Sequence, residues 1–526
     1  MKTLFFNGKI HTMVSEEDTA DWMTVSDGKI CETGKGTPAA SCDSAVNLQG
    51  KHVYPCLIDA HTHLLLTVAV MATGFSACEI RSEGIVPNTV EGVGARIRAY
   101  AKKQKPGAVI AVNNYIMTAM DEHRMPTREE LDRWTDGRAA VVYNIDGHST
   151  SLSTKMLETV GISPEGHSGI LQGEENERTQ GRLIDAVGKA VTLPVLAKGI
   201  AAFQNYCADH GIGTVAALEG NGDSPKDSTT GLIIHLARHF DVGVRLYLQY
   251  TDPARVAPYA GYMKHLRVGG CGDWEMDGSV GSHSAAFRLP FSDTGETAPC
   301  YFSQEEADAA VRIFAEKGYQ IASHAIGELA IERLLTALNR SGSTAFHRVE
   351  HCEFCSEASL EELKKGNFAA VMQPGYAWID KRYLHTYEAH LPESIRNGMK
   401  LKSLYDAGVC VCGSSDSPVQ DMDPFLQMLG MTCFYRPEES LTPYEAMCTY
   451  TKNAARALLE EDERGTLEPG KAADFFTAEE DFFRLAPEKT VEFRPVETYY
   501  GGKPAKRKKG TVAELAGMLL KKPRKI

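Results

Sequence analysis

The six residues Ile58-Asp59-Ala60-His61-Thr62-His63 decide how this chain is read. On a strand, residues two apart face the same side, so His61 and His63 offer two imidazoles to one point, as a metal ion requires. Alone, such a pair is weak evidence. Further along, similar side chains close other short apolar runs: His324 after Ile321-Ala322-Ser323, His351 after His347-Arg348-Val349-Glu350, and Asp416 after Val409 to Ser415. Helical patterns separate these runs. Glu305 to Glu316 carries Ala307, Ala310, Val311, Phe314 and Ala315 at helical spacing, Glu357 to Lys365 precedes Phe368 to Met372, and Ser394 to Ala407 precedes Val409 to Cys412. Helix and strand in alternation predict a parallel α/β sheet or barrel, and in a barrel the C-terminal strand ends meet on one face.

Composition sets the bounds. The 526 residues are 43% hydrophobic and 24% charged, within the ordinary globular range, and too many for a single core, so a large domain with smaller companions is expected. Short alternating segments at both ends, Thr3 to Phe6 and Met23 to Val25, then Ala473 to Phe476 and Val496 to Tyr500, predict one small β domain built from residues 1-56 and 465-503. The remainder, 57-464, would be the barrel, with an irregular insertion near 80-140. A net charge of -13 disfavours nucleic acid or an anionic membrane as partner. No apolar run is long enough to span a membrane, and Asn7-Gly8-Lys9 interrupts the first one, so a cytoplasmic protein is expected. Thirteen cysteines without regular spacing read as reduced thiols. Residues 504-526 form a basic tail. From Lys503 onward nine basic residues face one acid, and Val512, Leu515, Ala516, Leu519 and Leu520 share a helical face, which predicts a docked terminal helix; its partner is open.

With these motifs in hand, the chain resembles the amidohydrolase superfamily, and within it the branch of N-substituted formamide deformylases. Pro55 to His63 matches the opening motif, with Cys56 where glycine is usual. Ser323-His324-Ala325-Ile326-Gly327-Glu328 matches the fifth-strand motif, with Glu328 in the place of an aspartate, His347 to His351 the sixth, and Gly413 to Val419 the eighth. Gly465 to Asp474 is similar to the family's return to its β-sandwich. The resemblance runs in order from about residue 3 to 503. It implies a distorted (β/α)8 barrel with a β-sandwich, one or two divalent ions (zinc first, manganese or iron as alternatives), and hydrolysis of a carbon-nitrogen bond other than a peptide bond, in an amide or N-substituted formamide. Zinc suits imidazole and carboxylate ligands and acidifies bound water. The alternatives are a ring-amidine deaminase with a mononuclear site and a noncatalytic binding module.

The resemblance also assigns roles. His61, His63, His324, His351 and Asp416 are expected metal ligands, with Asp416 also moving the proton. The branch usually carries a carboxylated lysine four residues before an Asp-Gly pair. Counting back from Asp277-Gly278 puts Asp273 there, so Asp273 is the expected sixth ligand, with Glu275 as its competitor. His148 is expected to contact the substrate oxygen, Glu219, at the end of an expected third strand, to orient a ligand, and Tyr115, His283, Tyr376 and Trp378 to line the pocket. A small-molecule substrate and a homo-oligomer are expected.

Overall fold

The structure is a computed structural model describing all residues except 39–41, 74, 82–83, 221 and 223–227. Eight parallel strands follow one another in chain order: β1 (Leu57–Thr62), β2 (Ile212–Glu219), β3 (Gly243–Leu248), β4 (Arg267–Glu275), β5 (Gln320–Ala325), β6 (His347–His351), β7 (Phe368–Met372) and β8 (Cys410–Gly413). The sheet closes between β8 and β1. Beyond β8, Thr62 pairs with Ser417, the Asp416 N–H donates to the His61 carbonyl at 2.9 Å, and the His63 N–H donates to the Ser417 carbonyl at 2.8 Å. Ile58, Ala60, Ala216, Leu218, Ala322, Ala369 and Val371 fill the interior. Glu219 therefore ends the second barrel strand, not the third, because the strands between β1 and β2 lie outside the barrel, four of them in one other sheet.

That other sheet is the insertion, and it extends well beyond 80-140. Ile110–Tyr115, Ala140–Asn144, Ser149–Leu152 and Ile170–Gln172 form four strands, and Gly173–Ala190 follows as a helix. The second half was hidden because Ser149–Leu152 is a short polar segment that is nevertheless fully buried. Elsewhere the helical reading matches the backbone closely. Gln304–Ala315 buries Ala307, Ala310, Val311 and Phe314 and starts at a capping box in which Ser303 and Glu306 satisfy each other's backbone N–H. The stretch from Ser394 to Ala407 is instead two short helices, Glu393–Arg396 and Leu401–Asp406, broken around Gly398.

Both chain ends build a single curled eight-stranded sheet, in which Phe475–Ala478 pairs with His52–Pro55. Phe5, Met23, Val25, Ile30, Val53, Phe475 and Tyr499 pack inside it. The basic tail lies on the barrel's outer layer. Its helix, Val512–Leu519, buries Leu515 and Met518, while Leu520 is 89% exposed. The buried face is thus turned from the expected one, because Leu515 and Met518 fit against Ala197, Ile200 and Gln204. Lys508 and Lys521 both reach Asp241.

One charged knot sits under the barrel. Glu460, fully buried, receives Arg245, Arg464 at 2.7 Å and Arg267 at 3.5 Å. Burial pushes its carboxyl up, but Arg245, Arg464 and Arg267 together outweigh that and bring it from 4.5 down to about 2. A depressed carboxyl contributes stability that is complete above its unfolded value and is lost as pH falls. Stability is therefore expected to drop between about pH 4.5 and about pH 2 through this group. Glu460→Gln leaves the buried guanidinium groups uncompensated and should cost about 3 to 5 kcal/mol at pH 7. It should also flatten that acid limb, and urea unfolding of both proteins across this pH range reads both effects.

Candidate metal centre

At the C-terminal ends of the strands, six side chains converge: His61 in β1 and His63 just after it, Cys271 in β4, His324 in β5, His351 in β6 and Asp416 beyond β8. Cys271 is central. Its Sγ lies 3.6 Å from His61 Nε2, 4.0 Å from His324 Nδ1 and 3.8 Å from His351 Nε2. Asp416 Oδ1 lies 3.1 Å from His61 Nε2 and 3.2 Å from His63 Nε2, yet this buried oxygen meets no N–H in hydrogen-bonding geometry.

The outward side of each ring explains the inward one. His61 Nδ1 donates to Glu350 Oε2 at 2.6 Å, His351 Nδ1 to Gln373 Oε1 at 2.8 Å, and His324 Nε2 to the Gly278 carbonyl at 3.2 Å. An imidazole that spends its N–H outward turns a lone pair inward, and partners of this kind hold metal-binding histidines in place. Glu350 is itself anchored: Arg348 donates to both its oxygens at 2.8 Å. Burial opposes its ionisation, but Arg348 and His61 bring it down to about 2. Burial also lowers His351 to about 4 and His324 well below the usual range, so these rings are neutral. The donor set of imidazoles, a carboxylate without an N–H partner and a thiol suits a zinc-type ion. Burial, with Asp416 and Glu275 nearby, pushes the Cys271 thiol up to about 12 against the lowering effect of His61, and a coordinated ion would reverse this by deprotonating it. Asp416 and His351 both have positive φ, 57° and 67°. Non-glycine residues in this region concentrate at functional sites.

The cluster opens into a cavity with two lobes. The larger, about 120 Å³, is lined by Asn113, Asn144, Glu177, Gln180, Gln249 and Glu275 among others. The smaller, about 50 Å³, is lined by Val280, Ile326, Glu353, Tyr376 and Tyr387. Asp146, His148, His351, Asp416 and Val419 line both and so mark the junction.

Comparison with known proteins agrees with this geometry. The profile of the Amidohydrolase family matches residues 44–505, most of the chain. The chain belongs to the amidohydrolase family. It is 23% identical to YtcJ of Bacillus subtilis, over 93% of this chain and 96% of that one. It is 24% identical to the N-substituted formamide deformylase of Arthrobacter pascens, over 95% and 97%. A metal-dependent hydrolase of Pyrococcus horikoshii has the same fold, with a TM-score of 0.71 at 20% identity, covering 93% of this chain and 99% of that one. The protein is accordingly a metal-dependent amidohydrolase.

Within this amidohydrolase the expected residues fall into two groups. His61, His63, His324, His351 and Asp416 meet, and His148 stands at the junction, its Nδ1 donating to Glu177 Oε1 at 2.8 Å. Burial lowers the proton affinity of His148, but Glu177 outweighs it and raises the ring to about 10. Glu275 lines the larger lobe and accepts from the Gly272 N–H at 2.9 Å. Glu219 accepts from the Leu65 N–H at 3.1 Å, which fixes the chain just past His63. Tyr376 lines the smaller lobe.

Asp273, by contrast, does not join the cluster. Its carboxylate accepts from the Gly222 N–H at 2.6 Å and the Thr251 N–H at 3.4 Å. The cause is a bulge: in β4, Gly270 pairs with Ser323 and Glu275 already pairs with His324, so four residues loop out and strand alternation fails. Counting forward from the paired strand, rather than back from Asp277-Gly278, would have led to Cys271. Tyr115 lies in the core of the insertion, its hydroxyl donating to the Arg124 carbonyl at 2.6 Å. Trp378 packs on that core beside Tyr383, and His283 turns to Asp293 at 2.8 Å; neither lines the lobes. Cys271, Glu350, Gln373 and Glu177 escaped the sequence reading. Glu350, one residue before His351, faces the barrel interior with Arg348, and the positive φ of His351 breaks the strand alternation that would have sent the two apart.

Glu350→Gln should weaken metal retention about 10- to 100-fold, because His61 loses the charged partner that orients it, and should also cost stability by leaving Arg348 uncompensated. Cys271→Ala should remove a ligand shared by two imidazole groups and lower the bound metal per chain. Equilibrium dialysis with elemental analysis measures both, and Asp273→Ala should leave the metal content unchanged.

Proposed function

We propose that this amidohydrolase uses a zinc centre to hydrolyse the carbon-nitrogen bond of a small amide or N-substituted formamide. The observation that carries the reading is the ring of inward lone pairs around Cys271 and Asp416, set at the junction of two lobes. Bound zinc would acidify water and polarise the substrate oxygen. The chain's own residues account for the remaining steps. Asp416 Oδ1 takes the proton of the attacking water and delivers it to the leaving nitrogen. His148, held through Nδ1 by Glu177, keeps its Nε2–H for the oxygen of the tetrahedral carbon. The scissile carbon belongs at the junction, so its two substituents enter different lobes. The smaller lobe suits a short acyl group; the larger, with its amides and carboxylates, suits a polar amine.

Asp416→Asn is expected to lower kcat by about 100- to 10,000-fold. His148→Gln should lower it by about 100- to 1,000-fold while leaving metal content intact. Zinc-loaded enzyme is to be assayed against formamides and short-chain amides, with amine, carboxylate and ammonia measured separately. Amine and carboxylate in equal amounts support the reading. Ammonia released from ring amidines, with amides untouched, would replace it with deamination.

A further inference from the structure

A second group of ligand-type side chains stands apart from the lobes. His283 Nε2 donates to Asp293 Oδ2 at 2.8 Å, and His390 Nδ1 donates to the same oxygen at 2.6 Å. The two rings lie 4.2 Å apart, and one ligand atom from each of the three residues falls within 4.8 Å of the others. The three come from two segments: His283 and Asp293 from the connection between β4 and Gln304–Ala315, and His390 from the helix Thr386–His390. Their placement is fixed by other contacts. The Ser292 N–H donates to the His390 carbonyl at 2.7 Å, and the Phe291 ring packs on His283 with centroids 5.0 Å apart.

We infer that His283, Asp293 and His390 form a second metal site, for a divalent transition ion of the zinc type, separate from the catalytic centre. Two imidazoles and one carboxylate are a zinc-type ligand set, and the partly exposed position leaves water to complete four-coordination. In a tetrahedral zinc site the ligand atoms stand about 3.3 Å apart, so the present contacts need open by only about half an ångström. Each ring turns a lone pair to the ion by carrying its proton on the other nitrogen, with no net proton release.

A comparable triad, His11, His52 and Asp481, lacks this character. There Lys9 sits 2.8 Å from Asp481 and already neutralises the carboxylate. Asp293 instead accepts from the two imidazoles, which can themselves turn to an ion.

The site bears on the cavity wall. Ser282, next to His283, donates to Asp146 Oδ2 at 2.8 Å, and Asp146 lines both lobes. Tyr387, in the same helix as His390, lines the smaller lobe. An ion here fastens the segment around Asp293 to that helix and stiffens the wall.

Cobalt(II) titration of the metal-loaded protein tests the inference. Wild type should bind one equivalent more than Asp293→Asn, and His390→Gln, a second variant should the first fold poorly, should match Asp293→Asn. The site contains no thiolate. The additional equivalent should therefore raise visible d–d absorption without the sulfur-to-cobalt charge-transfer band that a centre containing Cys271 gives. Equal stoichiometry and equal spectra in wild type and both variants would overturn the inference.

Discussion

Closure of the barrel between β1 and β8 is the constraint on which the site depends. The backbone bonds that join Asp416 to His61 and His63 to Ser417 leave no freedom of register between the two strand ends. Asp59 reinforces the seam, accepting from the Ser415 N–H at 3.0 Å and from its hydroxyl at 2.5 Å. One residue of slip would turn the histidines of β1 away from Asp416. The carboxylate is thus delivered to the two imidazoles by the same ladder that completes the fold.

The interior behind the centre is unusually polar for a barrel. Arg348 and Glu350 are both fully buried, and such a pair contributes little to stability unless its hydrogen bonds are nearly complete. Here Arg348 also donates to the Ala60 carbonyl at 2.6 Å and lies over the Tyr247 ring at 4.3 Å. The arrangement makes sense once Glu350 is seen as the partner of His61. A buried carboxylate must be kept ionised to fix that ring, and Arg348 keeps it so.

Much of the barrel and its histidines could be read from the sequence because the barrel repeats a simple rule: an apolar run ends, and the next side chain faces the common rim. His324 and His351 obey it, and Asp416, three residues past β8, still reaches the rim through the seam. What could not be read lies where the rule is broken. Asp273 sits in a bulge, and a bulge changes facing without changing composition. Tyr115 and Trp378 look like rim aromatics only if the insertion is taken to be short. Glu177 comes from a helix of that insertion, far from any motif, and reaches His148 only through tertiary packing.

The same bulge explains how a cysteine can stand where a much longer side chain was expected. A thiol reaches only one atom beyond Cβ, so the strand itself must come close to the neighbouring imidazoles. Gly269 and Gly270 permit this. Both have positive φ, 105° and 114°, and a Cβ on Gly269 would lie 1.7 Å from the Ala322 carbonyl oxygen. Any side chain there would push β4 from β5 and draw Cys271 Sγ away from His324. Gly269, Gly270 and Cys271 therefore act as one unit: the glycines let the backbone of β4 approach β5 closely enough for the short thiol to stand beside His324.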